Sequence, residues 1–167
     1  MFNIKENQNV NNVDWGSTLY IASFIDWKTT VHGVKHGLCA YGYSLYKNQD
    51  SIEKVLIRRD FFFGGEAESS YEVEMKALLT GIGYVPPEER LTVRTTQQSI
   101  ANGINRDLMS WAERNGFTKQ GTPVKCWQEW LELLRTIQSR RIAALYTQEE
   151  EFTQLQSACR DLLQIYS

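Results

Sequence analysis

The chain has 167 residues, of which 42% are hydrophobic and 12% aromatic, and its formal net charge at pH 7 is -2. This length fits one globular domain with a sizeable core. The near balance of charge excludes the strong basic excess that is typical of a dedicated nucleic-acid-binding protein. Three cysteines without a CxxC pair predict reduced thiols and a cytoplasmic protein. The sequence predicts no signal peptide and no membrane-spanning segment.

The first half of the chain begins with a flexible segment and continues with three strands. Residues 1–17 are rich in Asn and lack periodicity, which predicts a flexible N-terminal segment before a folded domain at residues 18–167. Residues 19–25 are an almost unbroken apolar run, which favours a strand that is covered on both faces. Two more strands are predicted at residues 38–46 and 54–63, so the three form a meander.

Residues 69–82 predict an amphipathic helix with a carboxylate on its apolar side. Ser69 followed by Glu72 is a capping-box pattern, and apolar side chains recur at helical spacing from Tyr71 to Ile82. Glu74 falls on the same stripe. Because a buried carboxylate is costly unless it is paired, hydrogen-bonded or bound to a metal, Glu74 marks a site or the remnant of one.

The second half alternates strands with helices. A strand at residues 91–95 precedes two short helices that meet at Gly103, then a loop, a third helix, a strand at residues 142–146 and a final helix. This order predicts an α/β fold: a five-stranded mixed sheet with helices on both faces. Asp26 is expected to end the first strand and Thr96 to follow the fourth, so the two should be neighbours.

Three strings in this arrangement, YEVEMKALL, LTVRTTQQSIANGI and SACRDLL, resemble ribonuclease H of type 1, and the resemblance extends over about residues 18–166. It implies an RNase H-like fold with strand order 3-2-1-4-5. It also implies a site where four carboxylates hold two metal ions, Mg²⁺ or Mn²⁺. Such ions activate a water and stabilise the leaving oxygen of a phosphodiester.

Only two of the four carboxylate positions hold an acid. Glu74 matches the helix carboxylate, and Asp26 matches the carboxylate of the first strand, with Ser23 as the alternative in a shifted register. Thr96 and Arg160 stand at the other two positions. Two carboxylates cannot hold two divalent cations, and an Arg adds charge of the wrong sign. We therefore predict a catalytically inactive member with no metal cofactor, in which Arg160 pairs with Asp26, Glu74 or both.

A nucleic-acid-binding surface is implied by the same resemblance. Two matches lie along the family's hybrid-binding surface and three cations surround its basic loop: Gln98, Trp111, Arg114, Lys119 and Lys125. The paired Asn residues of the family are replaced by Ser70 and Tyr71, which predicts weaker binding of nucleic acid. Trp111 shares a helix face with Leu108, which favours core packing over a stacking platform, and separated cations are more typical of a solvated rim than of a phosphate track.

Two other groups have alternative interpretations. Four residues of metal-ligand types lie from the end of the first predicted strand to the start of the second, and together they would suit zinc: Asp26, His32, His36 and Cys39. Cys39 also begins an apolar strand, however, which favours a buried thiol. The Phe run at 61–63 lies at a predicted sheet edge, where it forms a patch for a partner if it is exposed and part of the core if a helix covers it.

Two functions follow from these features. The leading hypothesis is a non-catalytic binding or scaffolding module for a protein partner or, more weakly, for an RNA–DNA hybrid or another nucleic acid, with no role at a membrane. The alternative is a divergent metal-dependent ribonuclease H that cleaves RNA in RNA–DNA hybrids. It would use Asp26 and Glu74 with acids from elsewhere, such as Glu149 or Glu150.

Overall fold

A five-stranded mixed sheet in the order β3-β2-β1-β4-β5 forms the centre of the molecule. The computed structural model describes residues 15–29, 32–137 and 140–166. The strands are β1 (Ser17–Thr29), β2 (Lys35–Asn48), β3 (Lys54–Ala67), β4 (Leu91–Thr95) and β5 (Ile142–Tyr146). The first three are antiparallel, and β4 and β5 run parallel to β1. The predicted strand order is confirmed.

Helices cover both faces of this sheet. They are α1 (Ser70–Ile82), α2 (Gln98–Asn102), α3 (Leu108–Glu113), α4 (Trp127–Ile137) and α5 (Glu150–Tyr166). A turn of π-helix, Gly103–Asp107, joins α2 to α3, so the two short helices predicted to meet at Gly103 form one continuous helical segment. In the described part of the chain, no helix is both long and apolar enough to cross a membrane.

Strand β1 divides the core into two layers because alternate side chains of a strand point to opposite faces. Leu19 and Ile21 lie in the larger hydrophobic cluster, together with side chains of α1 and α4. Tyr20 and Ala22 pack on the other face against Phe152 of α5. The unbroken apolar run of β1 is therefore covered on both sides, as the sequence predicts.

Helix α1 begins where the capping pattern places it and lies close against the sheet. The Ser69 hydroxyl accepts a hydrogen bond from the backbone N–H of Glu72 at 3.2 Å, which satisfies one free N–H of the first turn. Near the other end, a Cβ added to Gly81 would lie 2.7 Å from Leu19 Cδ1. The absence of a side chain at Gly81 thus allows α1 to approach β1 closely enough to bury Glu74.

The π-helical turn is fixed by two tertiary contacts. A Cβ added to Gly103 would lie 2.3 Å from Cη2 of the fully buried Trp130, so the backbone passes directly over that indole. The Asn105 side-chain amide donates to the backbone oxygen of Ala144 and accepts from its N–H, both at 2.8 Å. These bonds close the outer edge of β5 at Ala144, leaving β3 as the longer, open edge.

Two element boundaries differ from those that the sequence predicts. Strand β1 does not end at Asp26 but continues to Thr29, because Asp26 is still paired with Leu38 of β2. At the other end, Ser17 already belongs to β1, and its N–H donates to the backbone oxygen of Arg90 at 2.8 Å. Residues 1–14 of the predicted flexible segment lie outside the described residues.

Candidate functional site

Helix α1 places Glu74 at the C-terminal end of β4, where its side chain is only 1% exposed. Oε1 accepts hydrogen bonds from the Thr95 hydroxyl at 2.6 Å and from the Thr96 N–H at 3.4 Å. Oε2 accepts from the Thr96 hydroxyl at 3.5 Å. The Thr95 oxygen in turn accepts from the Gln97 N–H at 3.0 Å. The carboxylate is therefore satisfied by neutral donors.

Burial raises the pKa of Glu74 from 4.5 to about 7. Desolvation penalises the charged form, and the hydrogen bonds from Thr95 and Thr96 offset this effect only in part. Within the described ranges, Glu74 forms no ion pair that would hold it ionised. Near neutral pH it exists partly as a neutral acid, which is a poor ligand for a cation.

The pairing of β1 with β4 decides which residue of β1 is level with this carboxylate. Tyr20 pairs with Arg94 in the last pair of this ladder, and continuing the same register for two residues would bring Ala22 level with Thr96. Asp26 lies four residues beyond Ala22, a distance of about 13 Å along an extended strand, and it is exposed. The continued register therefore puts Asp26 about four residues past the level of Thr96, and the expected proximity of Asp26 to Thr96 is not found.

Asp26 and Arg160 both line a separate cavity of about 200 Å³ on the α5 face of the sheet. The Arg160 guanidinium carbon lies 5.5 Å from the ring centroid of Phe24. Among residues 15–29, 32–137 and 140–166, Arg160 forms no ion pair, so the predicted pairing with Asp26 or Glu74 is absent. Ser23, the alternative to Asp26, is buried beside Ala22 and points to the opposite face.

The residues at this place do not fit the two-metal centre that the resemblance implies. Two divalent cations about 4 Å apart need several carboxylates around them. In the described part of the chain, Glu74 is the one carboxylate that is hydrogen-bonded to Thr95 and Thr96. Over the described ranges, no three His, Cys, Asp or Glu side chains form a group that could hold a metal ion. The zinc alternative is likewise not assembled by its four candidate residues: Asp26, His32, His36 and Cys39.

The acids that precede α5 are engaged in other contacts. Glu149 Oε2 accepts a hydrogen bond from Arg94 Nη1 at 2.8 Å, and its Oε1 accepts from the Tyr20 hydroxyl at 3.2 Å. Glu150 is an exposed residue at the first position of α5. Glu149 thus ties the start of α5 to the sheet, and its carboxylate is not directed at Glu74.

A second group of predicted site residues gathers around Trp111, which stands between two clefts. The first, of about 480 Å³, is lined by ring and hydrocarbon surface of four residues and is called the apolar cleft: Tyr71, Trp111, Pro123 and Val124. The second, of about 540 Å³, has three cations and is called the basic cleft: Arg106, Arg114 and Lys119. Trp111, Asp107 and Thr118 line both. No short sequence motif signals this pair of clefts.

The structure brings together four of the five predicted nucleic-acid-binding residues. Trp111, Arg114 and Lys119 line the basic cleft, and Lys125 lies at the apolar one. The Lys125 Nζ donates to the Ser69 hydroxyl at 2.8 Å, which holds its side chain across the start of α1. Gln98 is exposed at the first position of α2 and lines neither cleft.

Trp111 combines the two roles that its position predicts. Its ring packs edge-to-face on Trp130, with ring centroids 5.5 Å apart and planes at 69°. The side chain is nevertheless only half-buried and lines both clefts. The core contact fixes the orientation of the indole, and the remaining surface is available to a ligand.

The Phe run at 61–63 is mostly covered, whereas the start of the same strand is not. Phe61 and Phe62 are half-buried, and Phe63, at 38% exposure, stacks on Tyr166 with ring centroids 4.3 Å apart. The exposed apolar side chains of this edge lie further back, at and just before the start of β3: Ile52, Val55, Leu56 and Ile57. The Phe run therefore follows mainly the covered alternative, and the exposed apolar surface of this edge lies elsewhere on it.

Comparison with known proteins adds a partial match in sequence. No family model matches the chain. A curated ribonuclease H of Campylobacter concisus is 34% identical over 71 residues, which cover 42% of this chain and 48% of that protein. The match thus spans about half the length of this relative.

Solved structures agree with the chain in fold. The RNase H domain of PFV has a TM-score of 0.64 at 11% identity, over 89% of this chain and 94% of that domain. The foamy viral protease-reverse transcriptase in complex with an RNA/DNA hybrid has a TM-score of 0.67 at 11% identity, over 89% and 20%. RNase H1 from Halobacterium salinarum has a TM-score of 0.56 at 11% identity, over 88% and 98%.

Proposed function

We propose that this chain, which has the ribonuclease H fold, is a non-catalytic RNase H-like domain that serves as a binding module. The observation that carries the proposal is the chemical setting of Glu74. Among the described residues it is the one carboxylate held by Thr95 and Thr96, it is buried, and neutral hydroxyl and N–H groups satisfy it. Glu74 is on this view a remnant that now contributes to packing.

The charge balance supports the loss of metal-dependent cleavage. Two divalent cations bring four positive charges, which a single carboxylate with a raised pKa cannot offset. Asp26 is too far along β1 to contribute, and Glu149 is held by Arg94. For the alternative of a divergent metal-dependent nuclease, the described ranges contain no group of three acids, His or Cys that could hold a metal ion.

Two surfaces of the domain suit binding. The clefts around Trp111 offer aromatic and cationic groups, and the foamy viral relative is in complex with an RNA/DNA hybrid, so nucleic acid is the first ligand class to test. The open edge of β3 offers exposed Val55, Leu56 and Ile57 to a protein partner. The buried thiols Cys39 and Cys159 suit a reducing compartment, and we place the protein in the cytoplasm.

A cleavage assay tests the proposal directly. The wild type, Glu74→Gln and the matched control Glu72→Gln are incubated with an RNA–DNA hybrid in Mg²⁺ and in Mn²⁺, beside an active ribonuclease H. We expect no cleavage by any of the three. Cleavage by a contaminant would be equal in all of them. Cleavage that Glu74→Gln abolishes and Glu72→Gln retains would show a working nuclease and contradict the proposal.

A further inference from the structure

We infer that the apolar and basic clefts together bind a nucleotide unit of single-stranded nucleic acid, with its unpaired base beside Trp111 and its phosphate among Arg106, Arg114 and Lys119. The inference rests on the proposed function and narrows its ligand class. It concerns an unpaired strand, in contrast to the RNA/DNA hybrid bound by the foamy viral relative.

The apolar cleft has the size and the lining that a planar ring requires. Its volume of about 480 Å³ lies within the range of small-molecule sites. Trp111 presents part of its indole, and Pro123 and Val124 add hydrocarbon surface. Asn102 and Asp107 supply an amide and a carboxylate at the rim, where the polar edge of a base can form hydrogen bonds.

The basic cleft has the charge that a phosphate requires. Arg106, Arg114 and Lys119 line it, against one carboxylate, Asp107. The Arg106 Nε donates to Asp107 Oδ1 at 2.9 Å, so these two charges offset each other and the net positive charge of the cleft comes from Arg114 and Lys119. The chain as a whole has a net charge of -2. The positive charge is therefore a local feature of this cleft, next to the ring-binding surface.

The loop between α3 and α4 holds both clefts in a fixed shape. The Thr118 N–H donates to the backbone oxygen of Thr122 at 2.9 Å, and the Val124 N–H donates to that of Gly116 at 2.9 Å. The Thr122 N–H also donates to the Thr118 hydroxyl at 3.2 Å. Since the walls are tied by their own backbone, a ligand does not have to order them on binding.

The geometry favours an unpaired strand over a duplex. In a duplex both faces of a base are stacked on neighbouring base pairs, so the ring cannot enter a cleft. In a single strand the base is free to stack on an aromatic side chain while cations follow the backbone. Trp111 lies between a ring-binding cleft and a phosphate-binding cleft, which is the juxtaposition that such a ligand needs.

The test compares the affinities of the intact protein for three labelled probes by fluorescence anisotropy. The probes are a single DNA strand of about 12 nucleotides, the DNA duplex of the same length and the corresponding RNA–DNA hybrid. We expect the single strand to bind at least roughly tenfold more tightly than either duplex, because only its bases can stack on Trp111. Unlabelled AMP should compete more weakly than the unlabelled strand, since it has one phosphate.

Three variants assign the effect to the two clefts. Trp111→Leu should weaken single-strand binding by roughly tenfold, and Trp111→Phe should restore most of it. Lys119→Gln should reduce the slope of log affinity against log salt by about 0.7, the value for one phosphate contact in a single strand. Arg141→Gln, at an exposed cation that lines neither cleft, is the matched control and should leave both quantities unchanged.

Several outcomes would overturn the inference. Equal or tighter binding of the hybrid would do so while leaving the proposed binding module intact. AMP competing as well as the strand would assign the clefts to a free nucleotide. Lack of binding to any probe would remove nucleic acid from the proposed function and leave the edge of β3 as the surface to pursue. If thermal melting shows that Trp111→Leu does not fold, Trp111→Phe and the exposed Lys119→Gln still decide.

Discussion

The Glu74 site and the Trp111 clefts both adjoin α1, yet they use polar groups in opposite ways. At Glu74 the hydrogen bonds are made inside the protein, by Thr95 and Thr96, and the side chain is closed to solvent. At the clefts, Lys119 is exposed and Trp111 is half-buried with its surface open to a ligand. A closed polar site contributes to stability, whereas an open one is available for recognition.

On the proposed function, the fold has lost one site and kept another. The metal site that the resemblance implies needs four acids at one point, so the proposal attributes its loss to their replacement. The clefts depend on a rigid loop and on an indole fixed by Trp130, and these survive as long as the core does. The four predictions that follow test this contrast, beginning with the core that both regions share.

The largest effect is expected for Trp130→Ala. Trp130 is fully buried, supports Trp111 and lies against Gly103. Its loss leaves a large cavity, so the free energy of unfolding should fall by about 3–5 kcal/mol, as measured by urea denaturation. The matched control, Trp27→Ala, removes an indole that is 43% exposed and should cost less than about 1 kcal/mol. An equal loss of unfolding free energy at the two positions would contradict the expected difference between buried and exposed indoles.

The pH dependence of the free energy of unfolding should show that Glu74 is buried and protonates more readily in the folded protein. Because burial raises the pKa of Glu74 to about 7, the folded protein holds the proton more tightly than the unfolded chain. Tighter proton binding stabilises the folded state by about 3 kcal/mol. This contribution is fully present below about pH 4.5 and is lost as the pH rises through about 7.

The matched measurement is the difference in unfolding free energy between the wild type and Glu74→Gln across this range. Taking the difference removes the contribution of acids such as Glu151, whose pKa is lowered and whose contribution changes in the opposite direction. A difference that does not vary with pH would show that Glu74 is solvated or ionised in the folded protein.

A smaller loss is expected for Thr95→Val. The substitution keeps the shape of the side chain but removes the hydroxyl that donates to Glu74, so a buried acceptor loses its shortest hydrogen bond. We expect a cost of about 1–3 kcal/mol in urea denaturation. The cost should shrink in a Glu74→Leu background, where no acceptor remains. Thr92→Val, on the same strand but only half-buried, should be nearly neutral.

The smallest effect on stability should come from the combined variant Arg114→Gln and Lys119→Gln. Neither side chain forms an ion pair in the described part of the chain. The free energy of unfolding, followed by thermal melting, should therefore change by less than about 0.5 kcal/mol. Nucleic-acid affinity should nevertheless fall at low salt. A loss of stability comparable to that of Thr95→Val would mean that the basic cleft is a structural feature.

Much of the fold could be predicted from local patterns. The apolar run of β1, the capping residue Ser69 and the helical stripe around Glu74 each predict an element that the structure contains, because alternation and helical spacing reflect burial directly. The resemblance to ribonuclease H supplied the strand order, which is confirmed. Element ends were less accurate: β1 runs past Asp26 because pairing with β2 continues there.

The candidate site was harder to predict because it depends on pairing between distant strands. The sequence offered Asp26 or Ser23 for the first-strand carboxylate, and the parallel register, in which Tyr20 pairs with Arg94, puts Asp26 well past the end of β4. A shift of one residue exchanges the faces of a strand, and nothing local records the register. Arg160 likewise contacts Phe24, a partner that only the packing of α5 on the sheet brings close.

The sequence by itself determined the elements and the burial of Glu74, because these follow from side-chain chemistry and spacing along one segment. The tertiary structure alone decided which residues stand together. It closed Glu74 against Thr95, separated Asp26 from it and assembled two clefts around Trp111 from α1, the π-helical turn and the following loop. Such contacts join residues far apart in the chain, and their geometry is set only when the layers of the fold pack together.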